Sequence, residues 1–373
     1  MKNYRKLGEI VKLIDERNKD EKVQTLIGVS IEKCFIKSVA NTIGTDLSKY
    51  QIIRKNDFAC SLMQVSRDGK IPIACLKDYD EAIMSPAYYI FRIKNTDEVL
   101  PDYLSMWFMR SEFDREAAYI AVGGVRGSMP WEDFCNMKLP IPDIKEQQKI
   151  VDAYNAITKR IQIKQKINEN LSNQLSCLYE IQCSKKESEN WKDIALDDII
   201  ENKRNNVKVE NIPNNSIYVG LEHIPRKSIV LNNHGSTEEV SSDKLKASKG
   251  DILFGKIRPY FHKVSVNPYN EIYCSGDALV FDSKQKELYG FVLLTVFSTK
   301  FVNYAVKLSN GAKMPRAEWK DLKRYMVKLP DTETLITLNN AVNNVLAYIN
   351  TNLHEITKLQ ELKQLVISRI SGM

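Results

Sequence analysis

The chain has 373 residues, 43% of them hydrophobic, so it is long enough for two globular domains of ordinary size with buried cores. Its 54 lysines and arginines exceed its 47 aspartates and glutamates, and the net charge of +7 permits a polyanionic partner without requiring one. The seven cysteines form no Cys-x-x-Cys pair, and their odd number argues against a full disulfide framework and fits a reducing compartment. The amino terminus is too polar for a signal peptide, and no stretch of the chain is apolar enough to cross a bilayer, so we expect a soluble cytoplasmic protein.

The chain is duplicated, and the landmarks of its first half return in the same order about 190 residues later. The offset drifts between 190 and 194, as insertions and deletions in loops would produce. Two copies that share a framework indicate a protein that binds two similar but non-identical targets at once. The matching landmarks are Gly28-Val29-Ser30-Ile31 with Gly220-Leu221-Glu222-His223, Asn56-Asp57-Phe58 with Gly250-Asp251-Ile252, Ile90-Phe91 with Val280-Phe281, and Lys138-Leu139-Pro140 with Lys328-Leu329-Pro330.

A polar stretch in the strand-rich part of copy one is the first candidate binding segment. Asp68-Gly69 is typical of a hairpin turn, and the cations that flank it are suited to phosphates. The candidate residues are Gln64, Arg67 and Lys70.

The corresponding stretch of copy two alternates aromatic and basic residues. A strand would place Phe254, Lys256, Arg258, Tyr260 and His262 on one face, and Pro259 indicates an edge strand or a bulge. Two interpretations stay open: a ribbon that faces DNA, and a solvated edge strand that carries charge. The first makes Lys256, Arg258, Tyr260 and Lys263 candidate DNA contacts.

A glycine-containing basic loop is the second candidate in each copy. It covers residues 123–130 in copy one, with Arg126 and Ser128, and residues 310–316 in copy two, with Lys313 and Arg316. Glycine lets the backbone approach a partner closely, and a neighbouring Arg or Lys can reach phosphate or guanine. The alternative is an ordinary loop with incidental charge. We favour DNA contact because both copies carry the same chemistry.

Each copy ends in a long helix that follows a short proline-containing junction. Prolines in 138–143 and at Pro330 forbid a continuing helix, and Asp143 is placed to cap the one that follows. Beyond the junctions apolar residues recur in steps of four and three, the seam of a coiled coil. The first seam comprises Ile150, Tyr154, Ile157, Ile161, Lys164, Asn168, Leu171, Leu175 and Leu178, and the second Leu338, Val342, Val345, Ile349, Asn352, Ile356, Leu359, Lys363, Val366 and Ile370.

These seams allow two arrangements. A single amphipathic helix more often lies on the core of its own domain, but two of matching length in one chain favour mutual pairing. Polar Lys164, Asn168 and Asn352 would then fix the register. Antiparallel pairing would hold the two domains apart on a rod with pseudo-two-fold symmetry. The 32 steps from Ile150 to Gln182 span about 48 Å, on the order of 14 base pairs of B-DNA.

No convincing catalytic constellation is present. The four histidines lack the spacing of a zinc site, and no Walker-type phosphate loop occurs. Asn267-Pro268-Tyr269 resembles part of a methyltransferase motif but lacks its second proline and a methyl-donor loop, so we interpret it as a turn. Asp143, Glu146 and Gln147 resemble a carboxylate cluster, yet helix capping explains them.

The duplicated plan, the Gly-x-x-Met-Pro loop of copy two, the junction Lys138 to Gln148, the run Gly250 to Tyr260 and the coiled-coil tails together resemble the specificity subunit of a Type I restriction-modification system. The similarity covers essentially the whole chain. It implies an α+β fold of two tandem, similar target-recognition domains, each followed by a long helix, with the helices paired as an antiparallel coiled coil of pseudo-two-fold symmetry. The expected domains are 1–143 and 188–331, and the expected spacer helices 144–187 and 332–373.

The resemblance also implies partners. Each domain would bind half of a bipartite site in double-stranded DNA, and the subunit would have no chemistry, cofactor or metal of its own. Two modification subunits would carry S-adenosylmethionine, and restriction motor-nuclease subunits would consume ATP. The second junction departs from the family pattern, because 330–334 lacks the Glu-Gln-Gln signature. Two rival functions remain: a stand-alone DNA-modifying enzyme, and a coiled-coil scaffold or anti-restriction decoy that binds the modification subunit without reading DNA.

Overall fold

The computed structural model describes residues 4–38, 45–122, 124, 127–185 and 191–372. The chain divides into two compact units: unit 1 comprises Met1–Arg160 with Leu359–Met373, and unit 2 comprises Ile161–Lys358. Both divisions lie inside the long helices, so each unit includes a part of both. The domain limits expected at the helix ends therefore stay predictions.

The globular part of unit 1 is a mixture of short strands and short helices. Its elements are β1 (Tyr4–Lys6), α1 (Leu7–Ile10), β2 (Val11–Ile14), β3 (Ile27–Val29), β4 (Phe35–Lys37), β5 (Gln51–Arg54), β6 (Phe58–Cys60), α2 (Val65–Asp68), β7 (Ile73–Cys75), β8 (Glu81–Met84), β9 (Tyr89–Ile93), α3 (Pro101–Phe108), α4 (Ser111–Ile120), α5 (Trp131–Asn136) and β10 (Lys138–Pro140). Its largest sheet is antiparallel, in the order β2-β9-β6-β7, and the pairs β5-β8, β3-β4 and β1-β10 form two-stranded sheets.

Helix α6 (Ile144–Lys185) follows, and unit 2 then repeats much of this plan. Its elements are β11 (Lys192–Ala195), α7 (Leu196–Ile199), β12 (Ile200–Lys203), β13 (Asn206–Val207), β14 (Ile217–Val219), β15 (Gly235–Ser236), β16 (Lys244–Ser248), β17 (Ile252–Gly255), β18 (Val264–Val266), β19 (Glu271–Cys274), β20 (Ala278–Ser283), α8 (Tyr289–Phe297), α9 (Thr299–Leu308), α10 (Trp319–Leu322), β21 (Met326–Leu329) and α11 (Thr332–Gly372). Its sheets have the orders β12-β20-β17-β18, β13-β16-β19-β14-β15 and β11-β21.

The duplication seen in the sequence is a duplication of topology. The four-stranded sheet of unit 1, β2-β9-β6-β7, has the same order and antiparallel pairing as β12-β20-β17-β18 of unit 2. In each unit the first strand pairs with the strand that precedes the long helix, as β1 with β10 and β11 with β21. The predicted α+β class with two similar domains is confirmed.

Aromatic side chains fill the core behind each four-stranded sheet. In unit 1 the rings of Phe58 and Phe91 stack at 5.3 Å between centroids, and in unit 2 Phe254 meets Phe301 edge to face at 5.7 Å. Residues Gly290–Phe297 of α8 are all buried, as expected for a helix that is apolar on every side. Packing against this core thus holds each sheet in place, and the sheet in turn positions the connections at its ends.

Both long helices begin at a capping aspartate. The Asp143 carboxylate accepts from the N–H groups of Lys145 and Glu146 at 3.0 and 3.1 Å, and Asp331 accepts from Thr334 N–H at 2.8 Å. These bonds satisfy backbone donors that the first helical turn leaves free. Capping therefore accounts for Asp143, as the sequence predicted.

The helices pair with each other and also lie on the domain cores. Within unit 2 Lys164 contacts Glu355, and Asn168, which comes later in α6, contacts Asn352, which comes earlier in α11. The helices therefore run antiparallel there. Every seam residue is buried or half-buried. Leu175 also belongs to the core cluster of unit 2. The two arrangements considered for the seams therefore coexist in one helix pair.

Candidate nucleic-acid interface

In unit 2 the two candidate binding segments lie against each other. We call residues 256–263 the turn segment of this unit and residues 310–316 its glycine loop. The Arg258 N–H donates to Pro315 O at 2.7 Å, and an antiparallel bridge joins the same two segments. Backbone pairing therefore sets the spacing of the cations that the segments carry.

The turn segment is not a strand. Strand β17 ends at Gly255, and a 3-10 turn over Pro259–Phe261 follows, flanked by Arg258 at φ 49° and His262 at φ 52°. Two residues in the left-handed region reverse the chain twice, so the alternation of side chains stops. The prediction of one strand face is wrong, and Phe254 belongs to the core instead.

The turn exposes the ring of Tyr260, whereas Phe261 is half-buried and His262 is buried. Tyr260 is 51% exposed, whereas the ring of Phe261 lies 3.9 Å from the Arg226 guanidinium. His262 is buried with Nε2 2.7 Å from Phe297 O, and burial lowers the pKa of its imidazole. Tyr260 is thus available to a ligand, while His262 anchors the turn to helix α8.

Lys263 is already engaged within the protein. Its ammonium donates to Leu221 O, and burial, followed by the nearby Arg226, lowers its pKa. A half-buried ammonium held in this way orders the turn segment. We therefore assign Lys263 a supporting role, although it stays a candidate DNA contact from the sequence.

The other cations of the turn segment and the glycine loop of unit 2 differ in whether they have a partner within the protein. Arg316 pairs with Asp277 at 3.0 Å, and Arg258 donates a long 3.3 Å bond to Lys313 O. Lys313 is exposed and Lys256 half-buried, and neither ammonium forms an ion pair with a residue that the structure describes. With Lys263, five cations consequently lie on the two joined segments.

Unit 1 also joins its candidate segments by a backbone hydrogen bond, here donated by the glycine loop. Its turn segment, residues 61–70, follows β6, and its glycine loop covers residues 123–130. The Met129 N–H donates to Leu62 O at 2.9 Å. Arg126 lies outside the described residues, and Ser128 is half-buried. The pairing of turn segment and glycine loop is therefore a feature of the repeat.

The hairpin expected at Asp68-Gly69 is built differently. Strands β6 and β7 do pair, but the connection spans 61–72 and contains helix α2, which Gly69 ends at φ 64°. Arg67 pairs with Asp68 at 2.7 Å, and Lys70 is exposed. The prediction of a hairpin turn at these two residues is wrong, because Gly69 supplies the left-handed end of a helix.

Two buried carboxylates lie at equivalent positions of the two units. Asp57 bonds Arg92 Nε at 2.5 Å, and Asp251 bonds Lys203 Nζ at 2.7 Å. Both stand just before the strand that leads into the turn segment. Both aspartates belong to the landmarks that the two copies share, and the sequence predicted no role for them. Arg226 was missed altogether, because its contact with the turn segment comes from a distant part of the chain.

In the described ranges no group of three or more His, Cys, Asp or Glu side chains could hold a metal ion. No single helix there is long and apolar enough to cross a membrane. One pair, Lys286–Phe297 with Thr299–Leu308, has the length and composition of a broken span and is bent by 60°. Its residues Gly290–Phe297 are buried in the core of unit 2.

The Asn267-Pro268-Tyr269 segment is a turn. It connects β18 to β19, and Asn267 Oδ1 accepts from the Tyr269 N–H at 3.0 Å. This local bond is typical of an Asx turn.

A family model described as the Type I restriction modification DNA specificity domain matches residues 2–173 and again residues 188–364. The chain belongs to this family. Each match includes one turn segment, one glycine loop and a part of one long helix. The duplicated topology is thus two copies of the family's domain.

Two curated relatives match part of the chain. The Type I restriction enzyme MjaVIII specificity subunit of Methanocaldococcus jannaschii is 28% identical over 148 residues, and the Type I restriction enzyme EcoDI specificity subunit of Escherichia coli is 26% identical over 152. These alignments cover 38% and 36% of this chain and 34% of each relative. The chain thus spans about a third of the length of the curated relatives it matches.

Solved structures match over nearly the whole chain. The S subunit of a Type I restriction-modification system from M. genitalium has 13% identity and a TM-score of 0.52, covering 99% of this chain and 95% of that one. The HsdS subunit from Thermoanaerobacter tengcongensis has 14% identity and a TM-score of 0.40, with coverage of 99% and 96%. The first of these shows a shared fold.

Proposed function

We propose that the chain is the DNA specificity subunit of a Type I restriction-modification complex and that each unit binds one half of a bipartite duplex site. The observation that carries this proposal is the repeated pairing of turn segment and glycine loop. The Arg258 N–H meets Pro315 O in unit 2, and the Met129 N–H meets Leu62 O in unit 1. A repeated pair of joined segments that carry basic residues suits two related half-sites.

Phosphate contacts and base contacts have separate roles in this proposal. The exposed cations Lys70 and Lys313 neutralise phosphates and orient the duplex, which supplies affinity but little sequence information. Side chains at the joined segments contact base edges. Because both half-sites must be bound together, the discrimination of the two units multiplies, and each mismatch costs about 1 to 3 kcal/mol.

The helix pair supplies the other half of the function. Its outer faces seat two modification subunits, which bind S-adenosylmethionine and methylate adenine, and its length sets the spacer between half-sites. Restriction motor-nuclease subunits that consume ATP complete the complex. The chain itself contributes recognition and no catalysis, and it acts in the cytoplasm. The non-catalytic role accords with the family to which the chain belongs.

Methylation mapping tests this function. The chain is co-expressed with its modification subunit in a methylation-free host, and modified adenines are mapped by single-molecule sequencing. We expect one bipartite motif that disappears when the chain is omitted. A motif that persists without the chain overturns the proposal, as does purified chain that methylates or cuts DNA alone.

A binding assay separates recognition from scaffolding. Binding of the complex to a duplex with the mapped motif should weaken steeply as salt rises, because phosphate contacts release counterions. Lys313→Ala should weaken binding and lower the salt slope by about one. Lys286→Ala, a change at a basic residue in the 3-10 turn before α8, is the matched control. A complex that assembles but binds duplex independently of sequence favours the scaffold.

A further inference from the structure

Gln64 and Arg258 occupy the same position in the repeat. They lie 194 residues apart, the same offset that separates Asp57 from Asp251. In unit 1 the carbonyl two residues before Gln64 accepts from the glycine loop, at Leu62. In unit 2 the carbonyl two residues before Arg258 accepts from Ala317 N–H, directly after the glycine loop. Sequence offset and hydrogen bonding therefore agree on the equivalence.

Both residues have the same unusual backbone conformation. Gln64 has φ 64° and Arg258 has φ 49°, and each is followed by a short helical turn. Glycine adopts this region without strain, whereas other side chains rarely do. A strained non-glycine residue at the same place in both units points to a use for the side chain itself.

The described residues leave hydrogen-bonding groups of both side chains without a partner. The Gln64 amide makes no hydrogen bond with a described residue. Arg258 donates from Nη2 to Lys313 O at 3.3 Å, but its buried Nε has no acceptor in the part of the chain that the structure describes. Both side chains are half-buried, so neither is simply dissolved in water. The Gln64 amide and the Arg258 Nη groups therefore keep hydrogen-bonding capacity for a ligand.

The two side chains differ in a way that matches two bases. A glutamine amide offers one donor and one acceptor, which fit N7 and the N6 amino group of adenine, whereas a guanidinium offers two donors, which fit O6 and N7 of guanine. We propose that this position selects one base in each half-site, with Gln64 selecting adenine and Arg258 selecting guanine in the major groove. The inference rests on the proposed function. A phosphate contact would explain Arg258 but not a neutral glutamine at the same place.

Reciprocal substitution tests the inference. Gln64→Arg and Arg258→Gln are each made in the full chain, co-expressed with the modification subunit, and mapped by sequencing of modified adenines. Gln64→Arg should change one position in one half-site from adenine to guanine, and Arg258→Gln should make the reverse change in the other. The preference at that position should shift by roughly 5- to 150-fold, with the spacer unchanged. Gln24→Arg adds the same charge to an exposed site of unit 1 and should leave the motif intact.

Glycine variants guard against loss of folding. Gln64→Gly and Arg258→Gly keep the left-handed backbone and remove only the side chain. Each glycine variant should melt at the same temperature as the wild type. One position of one half-site should then show no preference for a base. If any variant loses methylation, its complex is assayed by binding to duplexes randomised at each position in turn.

The outcomes separate the two proposals. Variants that keep the wild-type preference at every position, in cells or in the binding assay, overturn the roles of Gln64 and Arg258 while the specificity function stands. Equal weakening on all sequences means a phosphate contact and also overturns them. A wild-type motif that does not depend on the chain refutes the proposed function itself.

Discussion

The Lys164 ammonium donates a 2.9 Å hydrogen bond to Asn352 Oδ1, from one long helix to the other in the middle of the seam. Lysine has no acceptor, so this bond fixes the orientation of the Asn352 amide. Asn352 Nδ2 then donates to Asn168 Oδ1 at 2.7 Å, and Glu355 pairs with Lys164 at 2.7 Å. A shift of register would break all three contacts at once. We call these four residues the polar layer.

Removing one member of the polar layer should cost stability. Asn352→Leu leaves the Asn168 amide without its partner, and we expect the free energy of unfolding to fall by about 1 to 3 kcal/mol. Chemical denaturation of the full chain measures it. Asn344→Leu, an exposed change on the same helix, is the control. Replacing all four residues of the polar layer together by leucine should recover the loss. A fourfold variant less stable than the single one would contradict this explanation.

The length of the helix pair should determine the spacer of the DNA site. One heptad is inserted in each helix, after Leu171 and after Ile349, on the same side of the polar layer. The pair then lengthens by about 10.5 Å, on the order of three base pairs. Methylation mapping should show a spacer longer by that amount and unchanged half-sites.

Insertions of two residues at the same two places provide the control for the heptads. They turn each seam by about 200°, so the apolar faces no longer meet and the complex should lose methylation. A heptad variant that keeps the original spacer would show that the helices do not set the distance.

His262 should make unit 2 less stable in acid. Burial and then the nearby Lys227 lower the pKa of this imidazole, while its bond to Phe297 O acts in the opposite direction. As the pH falls below about 6.5, the unfolded chain takes up a proton that the folded chain resists, so the free energy of unfolding falls. His262→Asn tolerates the left-handed backbone and should flatten this dependence between pH 7 and 5. Denaturation midpoints across that range measure it.

A control fixes the origin of the acid effect. His234 is exposed, so His234→Asn should keep the dependence of the wild type. Equal pH profiles for the wild type and His262→Asn would rule out the buried imidazole as the cause.

Gly127→Ala should displace the glycine loop of unit 1. Gly127 has φ 74°, and a Cβ there would overlap Ser66 Oγ in the turn segment. We expect a loss of stability of about 1 to 2 kcal/mol and weaker binding to one half-site. Gly69→Ala, at φ 64° with nothing within 4 Å, isolates the cost of the backbone alone. If both variants bind DNA equally, the contact between loop and turn segment has no role in recognition.

The sequence predicted features that repeat or recur periodically. The duplication, the seams and the cap at Asp143 could be predicted because each depends on spacing along the chain. The geometry of the turn segment could not, because alternation does not reveal that Arg258 and His262 have positive φ. Nor could the pairing of Arg316 with Asp277, since those residues meet only through the fold.

The small sheets β1-β10 and β11-β21 have a consequence for how new members of the family arise. Each brings together the places where the backbone enters and leaves a globular part. A segment whose two ends lie side by side can be replaced by another segment of different length, provided that the replacement begins and ends with the same two strands. Genetic recombination inside those strands would then yield a new combination of half-sites in a single event and leave the helices as they were.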